Sequence, residues 1–204
     1  SVEAITRVTP PAVHPPAGEV VGWEALARWS DPDLGDVPPA DFIPVAEQTG
    51  LIHELGRWAI DQACGELTAW RSVRGAHAYV SVNVSPLQLD NDRFVPSVIA
   101  ILQEYDLEPS ALVLEVTEGV LLVERSRESL RELRSHGIRV SIDDFGTGYS
   151  SLSYLRNLPV DMVKIDQSFL HPQKESLVGP DFLRVIVRLA ESLHLATICE
   201  GIET

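Results

Sequence analysis

Residues 139–166, RVSIDDFGTGYSSLSYLRNLPVDMVKID, decide the fold of this chain. The apolar pattern predicts one strand over 139–143 and a second over 162–166. A glycine-rich loop over 145–149 and a short helix over 151–157 lie between them. A strand that is followed by a helix and another strand is typical of parallel strands joined by a helical crossover. Each of these two strands ends at polar or charged residues.

Short apolar runs that end in a polar or charged residue recur through the rest of the chain. They alternate with segments of helical spacing, which predict helices over 41–49, 51–74, 86–105, 126–136 and 181–194. The six apolar runs are 20–24, 78–83, 112–115, 140–144, 162–164 and 197–200. Because barrels of alternating strands and helices keep their chemistry at the carboxyl ends of the strands, we expect these polar side chains to share one site.

The distribution of the polar strand ends favours a TIM-like (β/α)8 barrel over an open doubly wound sheet. An open sheet concentrates its site at one switch point, whereas these strand ends are spread over the whole chain. A weak strand is predicted over 2–8, a proline-rich connection over 9–18 and a turn-rich loop over 31–39. A closed barrel needs eight strands, whereas the sequence pattern predicts six strands and one weak strand. We therefore expect one domain over 1–204, with an atypical segment over 1–19 and without the last strand and helix.

The composition indicates a globular protein with one sizeable core, since 45% of its 204 residues are hydrophobic and 23% are charged. The net charge of −14 disfavours binding of long nucleic acid, because the chain lacks a basic stripe. With only Cys64 and Cys199, we expect free buried thiols in a reducing, cytoplasmic compartment. The sequence contains no apolar run long enough for a membrane span, and we expect no signal peptide.

Several carboxylates at one end of a barrel repel each other unless a cation neutralises them, so the pattern points to bound metal. Mg²⁺ and Mn²⁺ prefer hard oxygen ligands. Asn83 would add an oxygen without adding negative charge. The oxygen-bearing residues at the strand ends are Glu24, Asn83, Glu115, Asp143 and Asp144.

Six motifs in consistent order resemble those of EAL domains, the bacterial phosphodiesterases that hydrolyse cyclic di-GMP. The tripeptide Glu24-Ala25-Leu26 alone would be weak evidence, but the ordered set of motifs over 20–204 is highly specific. The motifs are EALAR at 24–28, SVNVS at 81–85, EVTE at 115–118, IDDFGTGYSSL at 142–152, VKID at 163–166 and CEGIET at 199–204. Two family features are missing, namely a Tyr-Gln-Pro strand at the start and a Gln-Gly-Tyr-like loop after the last glutamate motif.

The resemblance implies a site with two Mg²⁺ or Mn²⁺ ions, and Ca²⁺ is expected to inhibit it. In this family pattern, Glu24, Asn83, Glu115 and Asp143 bind one ion, and Asp143 bridges to a second ion that Asp144 also binds.

The resemblance also implies the remaining roles in hydrolysis of cyclic di-GMP to linear pGpG. Lys164 would hold the attacking water, and Glu200 would act as general base with support from Asp166. Leu26 and Arg28 would contact the substrate.

A regulatory segment formed by Glu118, Phe145, Gly146, Thr147 and Gly148 would couple dimer contacts to metal affinity. By the same resemblance, the chain is expected to form a homodimer through the loop after Asp144. A fused sensor or GGDEF-type domain would lie outside this chain. Glu203 is a further candidate for a supporting role near the site.

Structural interpretations of the same residues stay open at the sequence level. Lys164 could form an ion pair with Asp166, Arg28 could be an ordinary ion-pair partner, and Asp143-Asp144 could belong to a turn. The alternative function is a receptor domain that binds cyclic di-GMP without cutting it. A third possibility is a protein-interaction domain that binds no nucleotide.

Overall fold

The computed structural model describes residues 3–4, 7–8, 12–14, 19–74, 78–145, 158–166 and 180–199. The strands of this part of the chain are β1 (Glu3–Ala4), β2 (Arg7–Val8), β3 (Ala12–His14), β4 (Glu19–Leu26), β5 (Trp29–Asp31), β6 (Gly35–Val37), β7 (Tyr79–Asn83), β8 (Leu112–Thr117), β9 (Arg139–Asp143), β10 (Met162–Ile165) and β11 (Ala196–Cys199). The α-helices are α1 (Pro39–Thr49), α2 (Ile52–Arg74), α3 (Pro86–Leu89), α4 (Phe94–Glu104), α5 (Glu124–Ser135) and α6 (Pro180–Ser192). Two 3₁₀-helices span Pro109–Ala111 and Glu118–Leu122.

A curled parallel sheet forms the centre of the molecule. Strands β4, β7, β8, β9, β10 and β11 lie side by side in chain order, and each pair is parallel. Each connection between them therefore moves the chain one strand along the sheet, as in a barrel of alternating strands and helices. The predicted TIM-like architecture is confirmed, and the described residues supply six of its parallel strands.

The first 37 residues contain more strand than the sequence pattern predicts. The weak strand predicted over 2–8 is two separate pieces, since β1 pairs with β5 and β2 pairs with β4, both antiparallel. The prediction that 9–18 is only a connection is wrong, because β3 pairs antiparallel with β4. A strand of three residues between proline pairs is too short to show a periodicity, and prolines are tolerated along such an edge.

The segment predicted as a turn-rich loop over 31–39 contains a hairpin. Strands β5 and β6 pair antiparallel, and the turn between them is held by the Asp31 carboxylate, which accepts hydrogen bonds from the Asp33 and Leu34 amides at 2.9 and 3.1 Å. Gly35 follows with a φ of 73°, a conformation that favours glycine. The turn was predicted correctly, but its three-residue strands were not.

The predicted helices are present, with ends that follow from local chemistry. Helix α1 begins at Pro39, where proline suits the first helical position, and it ends at Gly50 with a φ of 77°. Ser85 caps α3 in a reciprocal pair with Gln88, and α5 is followed by Gly137 at a φ of 90°. The helix predicted over 86–105 is divided into α3 and α4. The helix predicted over 151–157 lies outside the described residues.

Side chains alternate between the two faces of the parallel sheet. One face packs against the helices through a core that contains Leu112, Leu114, Val140, Ile142 and Val163. The intervening residues face the barrel interior, where Tyr79, Val113 and Met162 form a separate apolar cluster.

Both predicted free thiols are confirmed, although Cys199 is only half-buried. Among the described residues, no helix is both long enough and apolar enough to cross a membrane.

Candidate active site

Five of the predicted site residues meet at the carboxyl end of the parallel sheet. Glu24 lies near the end of β4, Asn83 ends β7, Glu115 lies in β8, Asp143 ends β9 and Lys164 lies in β10. Asn83 is opposite Glu115 in the register of the β7–β8 pair. Since the side-chain period of a strand is two, Glu115 and Lys164 continue the interior face on which Val113 and Met162 lie.

Lys164 lies at the centre of this cluster. Its Nζ is 2.8 Å from Glu115 Oε2, 3.2 Å from Glu24 Oε2 and 3.3 Å from Asp143 Oδ1. The lysine side chain is 6% exposed, so its charge is almost fully removed from bulk water. One ammonium among three carboxylates leaves the cluster with excess negative charge.

Asn83 connects two of the strands at the rim of the site. Its side-chain Nδ2 donates a hydrogen bond to Glu24 Oε1 at 2.8 Å. Glu24 therefore accepts from Asn83 with one carboxylate oxygen and from Lys164 with the other. This pairing fixes the orientation of Glu24, because each of its oxygens has a defined donor.

Glu115 is the most deeply buried carboxylate of the cluster, with 2% exposure. Burial raises the pKa of Glu115 to about 7, and the nearby negative charge of Glu24 adds to the increase, while the Lys164 ammonium and a hydrogen bond from Ser81 oppose it. Ser81 was not among the predicted site residues. Its position two residues before Asn83 places it on the same strand face, and this spacing was the signal that could have identified it.

The donor set fits a hard divalent cation. Three carboxylates and one amide supply oxygen ligands of the kind that Mg²⁺ and Mn²⁺ prefer, and three carboxylates share a single ammonium group. Within the ranges that the structure describes, no three His, Cys, Asp or Glu residues are arranged as a preformed metal site. The carboxylates converge on the Lys164 ammonium instead.

The segment after β9 contains two further predicted residues. Asp144 is exposed and has a φ of 51°, which is uncommon for a residue other than glycine. Phe145 is buried, and its backbone N–H donates to the carbonyl oxygen of Lys164 at 3.0 Å. Strand β10 is thereby connected directly to the segment that follows Asp143.

The other described candidates lie within a few residues, in sequence, of the residues that form the cluster. Leu26 ends β4, and the Nη1 of Arg28 donates to the carbonyl of Ala27 at 2.9 Å. Glu118 is half-buried at the start of the 3₁₀-helix after β8, and Asp166 is half-buried directly after β10. The remaining predicted residues lie outside the described residues; they are Gly146, Thr147, Gly148, Glu200 and Glu203.

The family model of the EAL domain matches residues 10–204 of this chain. The bifunctional diguanylate cyclase/cyclic di-GMP phosphodiesterase MucR of Pseudomonas aeruginosa is 41% identical over 198 residues, which are 95% of this chain and 29% of MucR. A cyclic di-GMP phosphodiesterase of the same organism is 37% identical over 204 residues, which are 99% of this chain and 35% of that protein. The chain spans between 22% and 35% of the length of the curated relatives compared with it.

Solved structures of the same family share the fold. The PaMucR phosphodiesterase in complex with c-di-GMP has a TM-score of 0.90 and 39% identity, over 99% of this chain and 82% of that one. The EAL domain of Mycobacterium smegmatis DcpA has a TM-score of 0.72 and 37% identity, over 92% of this chain and 74% of that one. The order of the sequence motifs, the parallel sheet and the site at its carboxyl end lead to the same assignment. The chain belongs to the EAL domain family.

Proposed function

We propose that this domain is a metal-dependent phosphodiesterase that hydrolyses cyclic di-GMP to linear pGpG. The observation that carries the proposal is the convergence of Glu24, Asn83, Glu115, Asp143 and Lys164 within hydrogen-bond and ion-pair distance. The relatives support the choice of substrate, since one is named a cyclic di-GMP phosphodiesterase and a similar solved structure is a c-di-GMP complex.

Glu24, Asn83, Glu115 and Asp143 would hold Mg²⁺ or Mn²⁺, and Asp144 would contribute to a second ion. When bound, such ions lower the pKa of a water molecule and neutralise charge on the phosphate oxygens. Ca²⁺ is expected to inhibit, because it takes more ligands at longer distances in a less rigid geometry. The buried Glu115 carboxylate gives the site its strongest demand for positive charge.

Lys164 would hold and orient the attacking water by a charge-assisted hydrogen bond from Nζ, once bound cations engage the carboxylates that Nζ now contacts. Glu200 would accept the proton that this water loses, with Asp166 in support. Arg28 would contact a phosphate of the substrate, for which a guanidinium fork is well suited, and Leu26 would lie against the nucleotide.

The wider context of the domain is part of the same proposal. We place it in the cytoplasm as a single EAL domain, with a sensor or GGDEF-type domain elsewhere in the polypeptide. Homodimerisation would use the loop after Asp144, and the regulatory segment would comprise Glu118 and residues 145–148. The hydrogen bond between the Phe145 N–H and the Lys164 carbonyl offers a direct path from that segment to the catalytic lysine.

The test is a turnover assay of the full chain with Mn²⁺ at neutral pH, with linear pGpG as the measured product. Glu24→Ala should abolish turnover and weaken metal binding. Glu104→Ala is the matched control, because Glu104 is exposed at the end of α4 and its replacement removes the same charge. Binding of cyclic di-GMP in Ca²⁺ without turnover in Mn²⁺ would replace the proposal with the receptor alternative. Turnover that survives Glu24→Ala would contradict the assignment of the metal ligands.

A further inference from the structure

A depression lies at the opposite end of the sheet from the candidate active site. Its volume is about 400 Å³, and it is lined by Arg131, Arg134, Ser135, Ile138, Arg139 and Asp161. We refer to it as the arginine pocket. Arg139 begins β9 and Asp143 ends it, so the rise of a strand separates the pocket from the candidate active site by about 13 Å along this strand. The two sites are therefore distinct.

The arginine pocket concentrates positive charge on an acidic protein. Three arginines and one aspartate are among the residues that line it, while the whole chain has a net charge of −14. The carboxylate is already engaged: Asp161 accepts hydrogen bonds from Arg134 Nε at 3.1 Å and from the Val140 backbone N–H at 3.0 Å. Asp161 and Arg134 thus form a fixed, neutral wall, and Arg131 and Arg139 provide the remaining charge.

Stabilisation of the carboxyl end of α5 does not explain these arginines. Basic side chains often compensate the unpaired carbonyls at a helix C-terminus. Here the backbone supplies the donors: the carbonyls of Glu132, Leu133 and Arg134 accept from the N–H groups of His136, Ile138 and Gly137 at 3.2, 3.2 and 2.9 Å. The guanidinium groups are not needed for that purpose.

Arg139 retains capacity to bind a ligand. Its Nη2 donates to the Ser110 carbonyl at 2.6 Å, and its guanidinium lies over the Tyr79 ring, with Cζ 4.6 Å from the ring centroid. The bond to Ser110 uses one of the five guanidinium hydrogens, and the buried Nε has no hydrogen-bond acceptor among the described residues. Within the part of the chain that the structure describes, Arg131 forms an exposed pair with Glu124 at 3.0 Å, which an incoming anion can replace. Both residues can therefore direct N–H groups to an anion.

We propose that the arginine pocket binds a small phosphate-containing anion. Planar guanidinium groups match the geometry of phosphate oxygens, and two of them together match a doubly charged group. The volume is within the range of small-molecule sites. The proposal does not depend on the phosphodiesterase activity.

The test titrates inorganic pyrophosphate into the isotope-labelled full chain in EDTA, with amide chemical shifts as the readout. Saturable shifts should centre on residues 131–139 and Asp161. Arg131→Gln should weaken binding about tenfold, the effect of losing one charge-assisted hydrogen bond. Arg125→Gln is the matched control, since it removes the same charge from α5. In the native protein Arg125 pairs with Asp92 and does not line the pocket. We expect Arg125→Gln to change the affinity by less than about twofold.

Arg139→Lys adds a second measurement, because it keeps the charge and removes the planar fork. We expect it to weaken pyrophosphate binding several-fold. Absence of saturable binding at millimolar pyrophosphate would overturn the proposal. It would also be overturned by an equal loss in Arg125→Gln and Arg131→Gln, or by shifts centred on Glu24 and Asn83. Citrate that binds as tightly as pyrophosphate would overturn the assignment to phosphate.

Discussion

Replacing Glu115 by glutamine should change how the stability of the metal-free protein depends on pH. Burial raises the pKa of Glu115 from its ordinary value of 4.5 to about 7. Because the pKa is raised in the folded state, protonated Glu115 contributes to the free energy of unfolding. This contribution is fully present below pH 4.5 and is lost as the pH rises through 7. For one group with a shift of this size, linkage lowers the free energy of unfolding by about 2 to 3 kcal/mol between pH 5 and pH 8.

Glu115→Gln removes this titration, because the amide has nearly the shape of the protonated acid and carries no charge. The free energy of unfolding of the variant, relative to that of the wild type, should therefore rise by about 2 to 3 kcal/mol between pH 5 and pH 8. The measurement is urea unfolding in EDTA at several pH values, followed by tryptophan fluorescence. The matched control is Asp92→Asn, whose side chain is 92% exposed and pairs with Arg125 on the surface.

A constant difference between wild type and Glu115→Gln across this pH range would refute the reasoning. A variant that loses stability relative to wild type as the pH rises would show that Lys164 outweighs burial at this site. Addition of Mg²⁺ at pH 8 provides a separate check of the proposed function. The wild type should gain more stability from Mg²⁺ than the variant does, because in the proposed function the ion would bind the folded state through a carboxylate that the variant lacks.

Three further outcomes are expected. Gly22→Ala should lower the stability by about 1 to 3 kcal/mol in thermal unfolding, because the new Cβ would lie 2.5 Å from ring carbons of Tyr79; a neutral effect would mean that the ring can shift. Gly137→Ala should destabilise by about 1 to 2 kcal/mol because its φ is 90°, whereas Gly119→Ala, with open space around the added carbon, should not. Lys164→Gln should reduce turnover at least about 100-fold while the fold persists by circular dichroism, and retained turnover would exclude its role with the attacking water.

The sequence was most informative where side chains alternate on long strands. The apolar runs that end at Asn83, Glu115 and Asp143 were sufficient to predict parallel strands and a shared site, because the period of two places these residues on one face. The central position of Lys164 could not be predicted in the same way. The sequence pattern offered only Asp166 as an ion-pair partner of Lys164, and it gave no indication of the three carboxylates that the other strands bring to this lysine.

Short elements and deep polar contacts were the least predictable features. Strand β3 pairs with β4 in a proline-rich segment, and the backbone hydrogen bonds of a strand pair leave no trace in the choice of side chains. The hydroxyl of Ser81 contributes to the environment of Glu115 from a neighbouring strand, so its role depends on the register of the sheet. The arginine pocket likewise brings together α5 and Asp161, the residue before β10. More than twenty residues separate them in the sequence.

The alternation of faces along the parallel strands limits where this chain can change in length. Insertion of a single residue within β9 would exchange Ile142, which is fully buried against the helices, with Asp143, which faces the interior. One such change would remove a carboxylate from the candidate active site and place it in the hydrophobic core. Insertions and deletions should therefore be confined to the segments between the strands, and variants of different length should keep every strand residue in register.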